Sequence, residues 1–148
     1  NIKENTVLPS IKRFAKLGFS NHKNEMQAAY EYNERMQLAY ATLWQQVSKL
    51  SGGNQQKIVI AKWVLADTEI FLFDEPTRGI DIGAKVEIYK LIDELTKQGK
   101  GVILVSPELE EIIGLSNRVY IMFEGEIKDE VYGERKTQSV IINSLLGG

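Results

Sequence analysis

The chain contains no cysteine, a single histidine and no G-x-x-x-x-G-K-[ST] loop in its 148 residues. Without cysteine there is no disulfide framework, no thiolate chemistry and no cysteine-bearing zinc site, which fits a reducing compartment. With His22 alone, no histidine cluster can bind a metal or build a catalytic dyad within the chain. No apolar run reaches the roughly 18 residues that span a bilayer, and the first residues lack a signal-peptide core. Any membrane association is therefore expected to pass through a protein partner. The formal net charge of -2 offers no general attraction to nucleic acid, so no nucleic-acid partner is expected. The local basic group Lys12, Arg13 and Lys16 is expected to be a solvated helix face.

What is present is ordinary globular material, with 43% hydrophobic and 26% charged residues, enough to bury a core. Two regions differ in character. Residues 1 to about 48 are polar and helical in pattern, with Pro9 at a tolerated first-turn position, Gly18 ending a helix and Asn21 to Asn24 starting another. Met26, Ala29, Tyr30, Met36 and Tyr40 recur at helical spacing and predict a core stripe. Gln55 to Glu69 reads as a buried helix and a turn. From Ile70 the period changes. "IFLFDEP" and "GVILVS" predict buried parallel strands, separated by a helix that Asp81 caps and Gly99 closes. A short helix then starts with Ser106 as N-cap and Pro107 in its first turn. Arg118 to Val131 predicts a hairpin around Glu124-Gly125, and a last helix runs from about Thr137 to Leu146. The order predicts an α/β domain with a mixed, mostly parallel sheet flanked by helices, joined to an N-terminal helical subdomain. The division falls at residues 1–50 and 51–148.

Two short stretches carry chemistry. Asp74 and Glu75 end a predicted strand, where open α/β sheets place ligands. In a nucleoside triphosphatase Asp74 would hold the magnesium shell and Glu75 would orient or deprotonate the attacking water; such acids also end strands simply for solvation. "LSGGNQQK", Leu50 to Lys57, puts Ser51, Gly52 and Gly53 at a helix start, where bare backbone N–H groups and the helix dipole suit a phosphate. A serine-capped helix after a flexible turn explains the same residues.

"LSGGNQQK", then "IFLFDEP" seventeen residues after Gly53, then "TRGIDIGAK" together resemble the signature motif, Walker B strand and D-loop of an ATP-binding cassette (ABC) ATPase. The wordings "SGGNQQK" and "PTRGIDIGAK" are similar to the second cassette of duplicated ATPases that drive bacterial importers of ribose, xylose and galactose. "NIKENTVLPS" resembles the stretch after the Q-loop, so the likeness covers essentially the whole chain. It implies a P-loop NTPase-like cassette fragment, cut between Q-loop and helical subdomain, with the Walker A portion absent. In that family two cassettes pack head to tail. The resemblance therefore implies that Ser51, Gly52, Gly53 and Asn54 serve an ATP held by the other cassette. Asp74 (Mg2+, through water) and Glu75 (catalytic) then belong to this cassette's own site, with Asp81 along the cassette interface. The cofactors implied are ATP and Mg2+ in the full-length protein.

One departure concerns the switch histidine, whose place Pro107 takes. Proline offers neither proton nor donor, so the polar role passes to Ser106 or is lost, and hydrolysis at the two sites is expected to be unequal. The implied function is to energise a monosaccharide importer from the cytoplasmic face of the bacterial membrane, as a peripheral subunit. Its partners would be the first cassette of the same protein, permease subunits and, indirectly, a periplasmic or lipid-anchored sugar-binding protein. The isolated fragment is expected to be inactive and to self-associate through an uncovered sheet edge or apolar face. Two other readings are a soluble ABC ATPase of translation or repair and an inert cassette-dimerisation module.

Overall fold

A computed structural model describes residues 1–16 and 19–146. Gly18, expected to end the first helix, lies outside the described residues. The chain forms two compact units, residues 1–71 with 76–101, and residues 72–75 with 102–148.

The first unit begins with α1 (Ile2–Val7), opened by a capping box in which Asn1 accepts from the Glu4 amide. A single 3-10 turn, Leu8–Ser10, takes Pro9 and leads into α2 (Ile11–Phe14). Two short strands, β1 (Ala15–Lys16) and β2 (Phe19–Ser20), then pair antiparallel. They interrupt the helical reading because pairing between strands is a contact that helical spacing does not register. Asn21 caps α3 (His22–Arg35) by accepting from the amides of Lys23 and Asn24. After Arg35 the chain stays non-helical as far as the Val47–Lys49 3-10 turn. Of the expected stripe, Ala29 and Met36 are buried, Met26 and Tyr40 pack at the core's edge, and Tyr30 is 54% exposed. Tyr30 follows Ala29 by one residue, a helical turn of about 100°, and so leaves the buried face.

α4 (Gly52–Leu65) contributes Ile58 and Leu65 to the same core as Ile2, Val7, Ala29, Leu38 and Leu43. The signature helix thus packs with the helices before it. α5 (Ile82–Lys97) buries Ile88, Ile92 and Leu95 at i, i+4 and i+7, the one-faced pattern that its sequence predicts. Gly99 takes a positive φ of 83° just after it, where a side chain would be strained.

β3 (Ile70–Asp74) and β4 (Gly101–Val105) pair with each other. The Gly101 amide donates to the Glu69 carbonyl and the Glu75 amide to the Val105 carbonyl, so their beginnings and ends coincide and the strands run parallel. Their full burial is not observed. Phe71 and Phe73 are covered, whereas Leu72 on the opposite face is 70% exposed and Ile103 and Val105 are exposed as well. Strand side chains alternate between faces, and here only one face has a covering layer.

The second unit continues with α6 (Leu109–Leu115), then β5 (Arg118–Phe123) and β6 (Glu126–Tyr132), an antiparallel hairpin. Glu124 and Gly125 both take positive φ at its turn, as a tight two-residue hairpin loop requires. α7 (Gln138–Leu145), capped by Thr137, lays Ile141 against Val119, Ile121 and Val131. Among the described residues no helix is long and apolar enough to cross a membrane.

Candidate functional site

The signature residues open α4. Ser51 is its N-cap, and its hydroxyl oxygen accepts from the Asn54 amide at 3.4 Å and from Asn54 Nδ2 at 3.0 Å. Gly52 and Gly53 hold the first helical positions, whose N–H groups have no partner within the helix. Both glycines lie against the segment leading into α5. A Cβ on Gly52 would stand 3.4 Å from Ile80 Cγ2, an ordinary contact; one on Gly53 would stand 2.6 Å from Ala84 Cβ. Gly53 is therefore required by the close approach of α4 and α5, a reason that its sequence neighbours do not reveal. Gly53→Ala is expected to lower stability by about 1–3 kcal/mol through overpacking, and Ala84→Gly in the same molecule to restore most of it. Melting curves of the two single variants and the double check this; additive losses would contradict it.

Asp81 stands on the same unit. Its side chain accepts from the Ala84 amide at 2.9 Å and caps α5, while the residue itself stays exposed. The structure thus brings Ser51, Gly52, Gly53, Asn54 and the stretch around Asp81 together in the first unit.

Asp74, Glu75, Ser106 and Pro107 fall in the second unit. Asp74 ends β3 and is exposed; Glu75 is half-buried, and buried Pro76 and Thr77 follow. The Glu75 backbone has a φ of 46°, the left-handed region, and its N–H is held by the Val105 carbonyl at 2.9 Å. For a non-glycine residue that conformation costs on the order of 1 kcal/mol, and it turns the chain sharply at the carboxyl end of the strand. Ser106 follows directly on Val105.

Ser106 does not cap α6 as expected. Glu108 holds the N-cap position, and Ser106 forms a local turn by accepting from the Glu108 amide at 3.0 Å. Its hydroxyl proton is directed to the buried carboxylate of Glu111, at 2.6 Å. The Ser106 hydroxyl is taken up by the Glu108 amide two residues on and by Glu111, and the helix starts after Glu108 instead.

Among the described residues no group of three or more His, Cys, Asp or Glu side chains could hold a metal ion. Asp74, exposed at the end of β3, is a single carboxylate of the kind that would bind Mg2+ through water, since that ion keeps several waters and takes one or two carboxylates plus phosphate oxygens. A cavity of about 430 Å3 is lined by Phe123, Lys128, Asp129, Asn143, Ser144, Leu145 and Leu146 and by none of the site residues.

This architecture is that of an ABC ATPase cassette. A dimeric cassette, MJ0796, in a post-hydrolysis state with ADP and Pi superposes with a TM-score of 0.76 at 26% identity, over 89% of this chain and 56% of that one. A nucleotide-free cassette of an ABC transporter gives 0.76 at 20% identity, over 99% and 59%. The ABC transporter family model matches residues 1–78, and the chain belongs to that family. It is similar to the xylose import ATP-binding protein XylG of Geobacillus kaustophilus (strain HTA426), at 46% identity over 148 residues, all of this chain and 29% of the relative. The ribose import ATP-binding protein RbsA of Roseobacter denitrificans is 45% identical over 144 residues, 97% of this chain and 28% of that one. RbsA of Bacillus subtilis (strain 168) is 42% identical over 148 residues, 100% and 30%. The chain spans under a third of the length of these relatives.

Proposed function

We propose that this chain is part of the second nucleotide-binding cassette of a longer protein that hydrolyses ATP to energise import of a monosaccharide. The observation that carries the reading is the distribution of the site residues. Those suited to closing over a phosphate, Ser51 to Asn54, lie in one unit with Asp81; those suited to Mg2+ and water activation, Asp74 and Glu75, lie in the other. Each group is suited to one half of an ATP site, and neither unit holds both. The family supports the ATPase chemistry, and xylose- and ribose-import relatives support the substrate class.

Residues 1–50 act as the helical subdomain and residues 51–148 as the core of the cassette. The first cassette of the same protein and membrane permease subunits are its partners, with a sugar-binding protein upstream and the location peripheral, at the cytoplasmic face of the membrane. Residues 1–148 alone lack the lysine-bearing phosphate loop and do not turn over ATP. The open side of β3 and β4, with Leu72, Ile103 and Val105 exposed, supports self-association of the isolated chain. Light scattering at increasing concentration should show oligomers; a monomer at high concentration would contradict it.

Deleting the gene and measuring uptake of labelled xylose, ribose and galactose tests the import reading. Loss of at least one is expected. Unchanged uptake of all three, with a defect in translation or repair instead, would favour a soluble cassette ATPase.

A further inference from the structure

Lys57 closes the run "LSGGNQQK", and neither the motif nor the proposed chemistry gives it a role. Its side chain is almost wholly buried, which for lysine demands partners. It has two, on different elements. Lys57 Nζ donates to the Gln37 carbonyl at 3.0 Å and lies 2.7 Å from Glu87 Oε2 on α5. Gln37 is itself unusual, with a φ of 49° in the turn that ends α3, so its carbonyl is presented at a fixed, strained bend. One helical turn before Lys57, on the same face of α4, Asn54 Oδ1 accepts from the Ala39 amide at 3.1 Å while Asn54 Nδ2 donates to Ser51 Oγ.

We infer that Asn54 and Lys57 form a clamp that holds the Gln37–Ala39 turn to the signature serine and to the helix after Asp81. Lys57 is then a positioning residue for the composite site. Asn54 has its oxygen and one N–H committed within the chain, which ties its side chain to Ser51. Any displacement of the Gln37–Ala39 turn is passed by Asn54 to Ser51 and by Lys57 to α5. No separate side chain has to move, because all three segments meet on one face of one helix. The Gln55 side chain is spent on the Leu50 carbonyl and Ile58 meets the turn through the apolar core it shares with Leu38, so the polar links fall to Asn54 and Lys57.

The inference rests on the ATPase reading, and the test is made in the longer protein that contains this chain. Lys57→Met keeps the length of the side chain and removes both contacts; Lys57→Arg keeps the charge and the donors. Lys57→Met is expected to lower kcat about 10- to 100-fold, because misplacement by an ångström is worth that much. Its KM for ATP should stay within about twofold, and Lys57→Arg should recover most of the rate, with both variants melting at similar temperatures. Glu87→Gln, at a half-exposed position, keeps the shape and an oxygen facing Lys57 while removing the carboxylate's charge, and should lower kcat about threefold or more by a margin that its melting temperature does not account for. Parental kcat in Lys57→Met or Glu87→Gln overturns the clamp. So does a rate loss that follows melting temperature equally in the Met and Arg variants. A parent protein that hydrolyses no ATP overturns the ATPase reading along with it.

Discussion

Glu75→Gln in the longer protein is expected to slow hydrolysis at the site holding Glu75 by about 100- to 10,000-fold, the usual contribution of a positioned general base. The substitution preserves shape and removes only the ability to take a proton from water. The backbone supports that role, since Glu75 sits in the left-handed region with its N–H held by Val105, immediately before buried Pro76. The same left-handed geometry turns the chain at Gln37, Asp67 and Glu124, and at Glu75 it falls at the carboxyl end of a strand, where a positioned acid is expected. The whole protein should nonetheless lose less turnover than when the equivalent acid of the first cassette is replaced. Pro107 has no proton to donate, and the Ser106 hydroxyl already donates to Glu111. This site is therefore expected to be the weaker of the two. Steady-state ATP turnover of both variants, compared side by side, decides the point. Equal losses would show that Pro107 leaves the site unimpaired.

Glu25→Ala is expected to open the helical segment locally by about 3 kcal/mol, a rise in α1 and α3 amide exchange of roughly 100-fold. Glu25 is buried and accepts from Lys3 Nζ at 2.5 Å and from the Ser20 hydroxyl, with His22 Nδ1 at 3.3 Å. Lys3 is buried in turn, 6.0 Å from the Trp44 ring centroid. Removing the acid leaves a buried ammonium unpaired, whereas Lys3→Met with Glu25→Leu removes both charges and should cost far less. His22 is 82% exposed and keeps one edge of the cluster near water, so the effect belongs at the low end for a buried pair. Hydrogen exchange by mass spectrometry, read on residues 2–7 and 22–35, separates the cases. Equal exchange in the single and double variants would contradict the account.

The same pair sets a pH dependence. The hydrogen bonds from Lys3 and then Ser20 hold the Glu25 carboxyl below its ordinary value of 4.5, outweighing burial. The unfolded state then binds the proton more readily than the folded one. Stability from Glu25 is full above the ordinary glutamate range and is lost as pH falls through the lowered folded value.

Features set by neighbouring residues are legible in the chain's own pattern. Asn21, Ser51, Asp81 and Thr137 all cap helices where short polar side chains precede an apolar pattern, and Glu124-Gly125 turns the hairpin. Ser106 has the composition of a cap but not the position, because its hydroxyl is engaged by the Glu108 amide and by Glu111, which local composition does not weigh. The open faces of β3 and β4 are hidden in sequence because an apolar run looks the same whether one or both faces are covered. Contacts between distant residues carry no signal at all. Gly53 against Ala84, Lys57 between Gln37 and Glu87, and Lys3 against Glu25 join positions that only the fold brings together. The acids and glycines of the site are readable as motifs; their separation into two compact units is not.

Ser51 to Asn54 with Asp81, and Asp74 with Glu75, are proposed to be halves of two ATP sites, with neither site complete in these residues. Titrating Mg-ATP into the 148-residue chain and, in parallel, into the longer protein tests it most directly. The account predicts micromolar binding by the longer protein and none tighter than about millimolar by the chain alone, a loss of at least about 4 kcal/mol. Micromolar binding by the chain alone would contradict it.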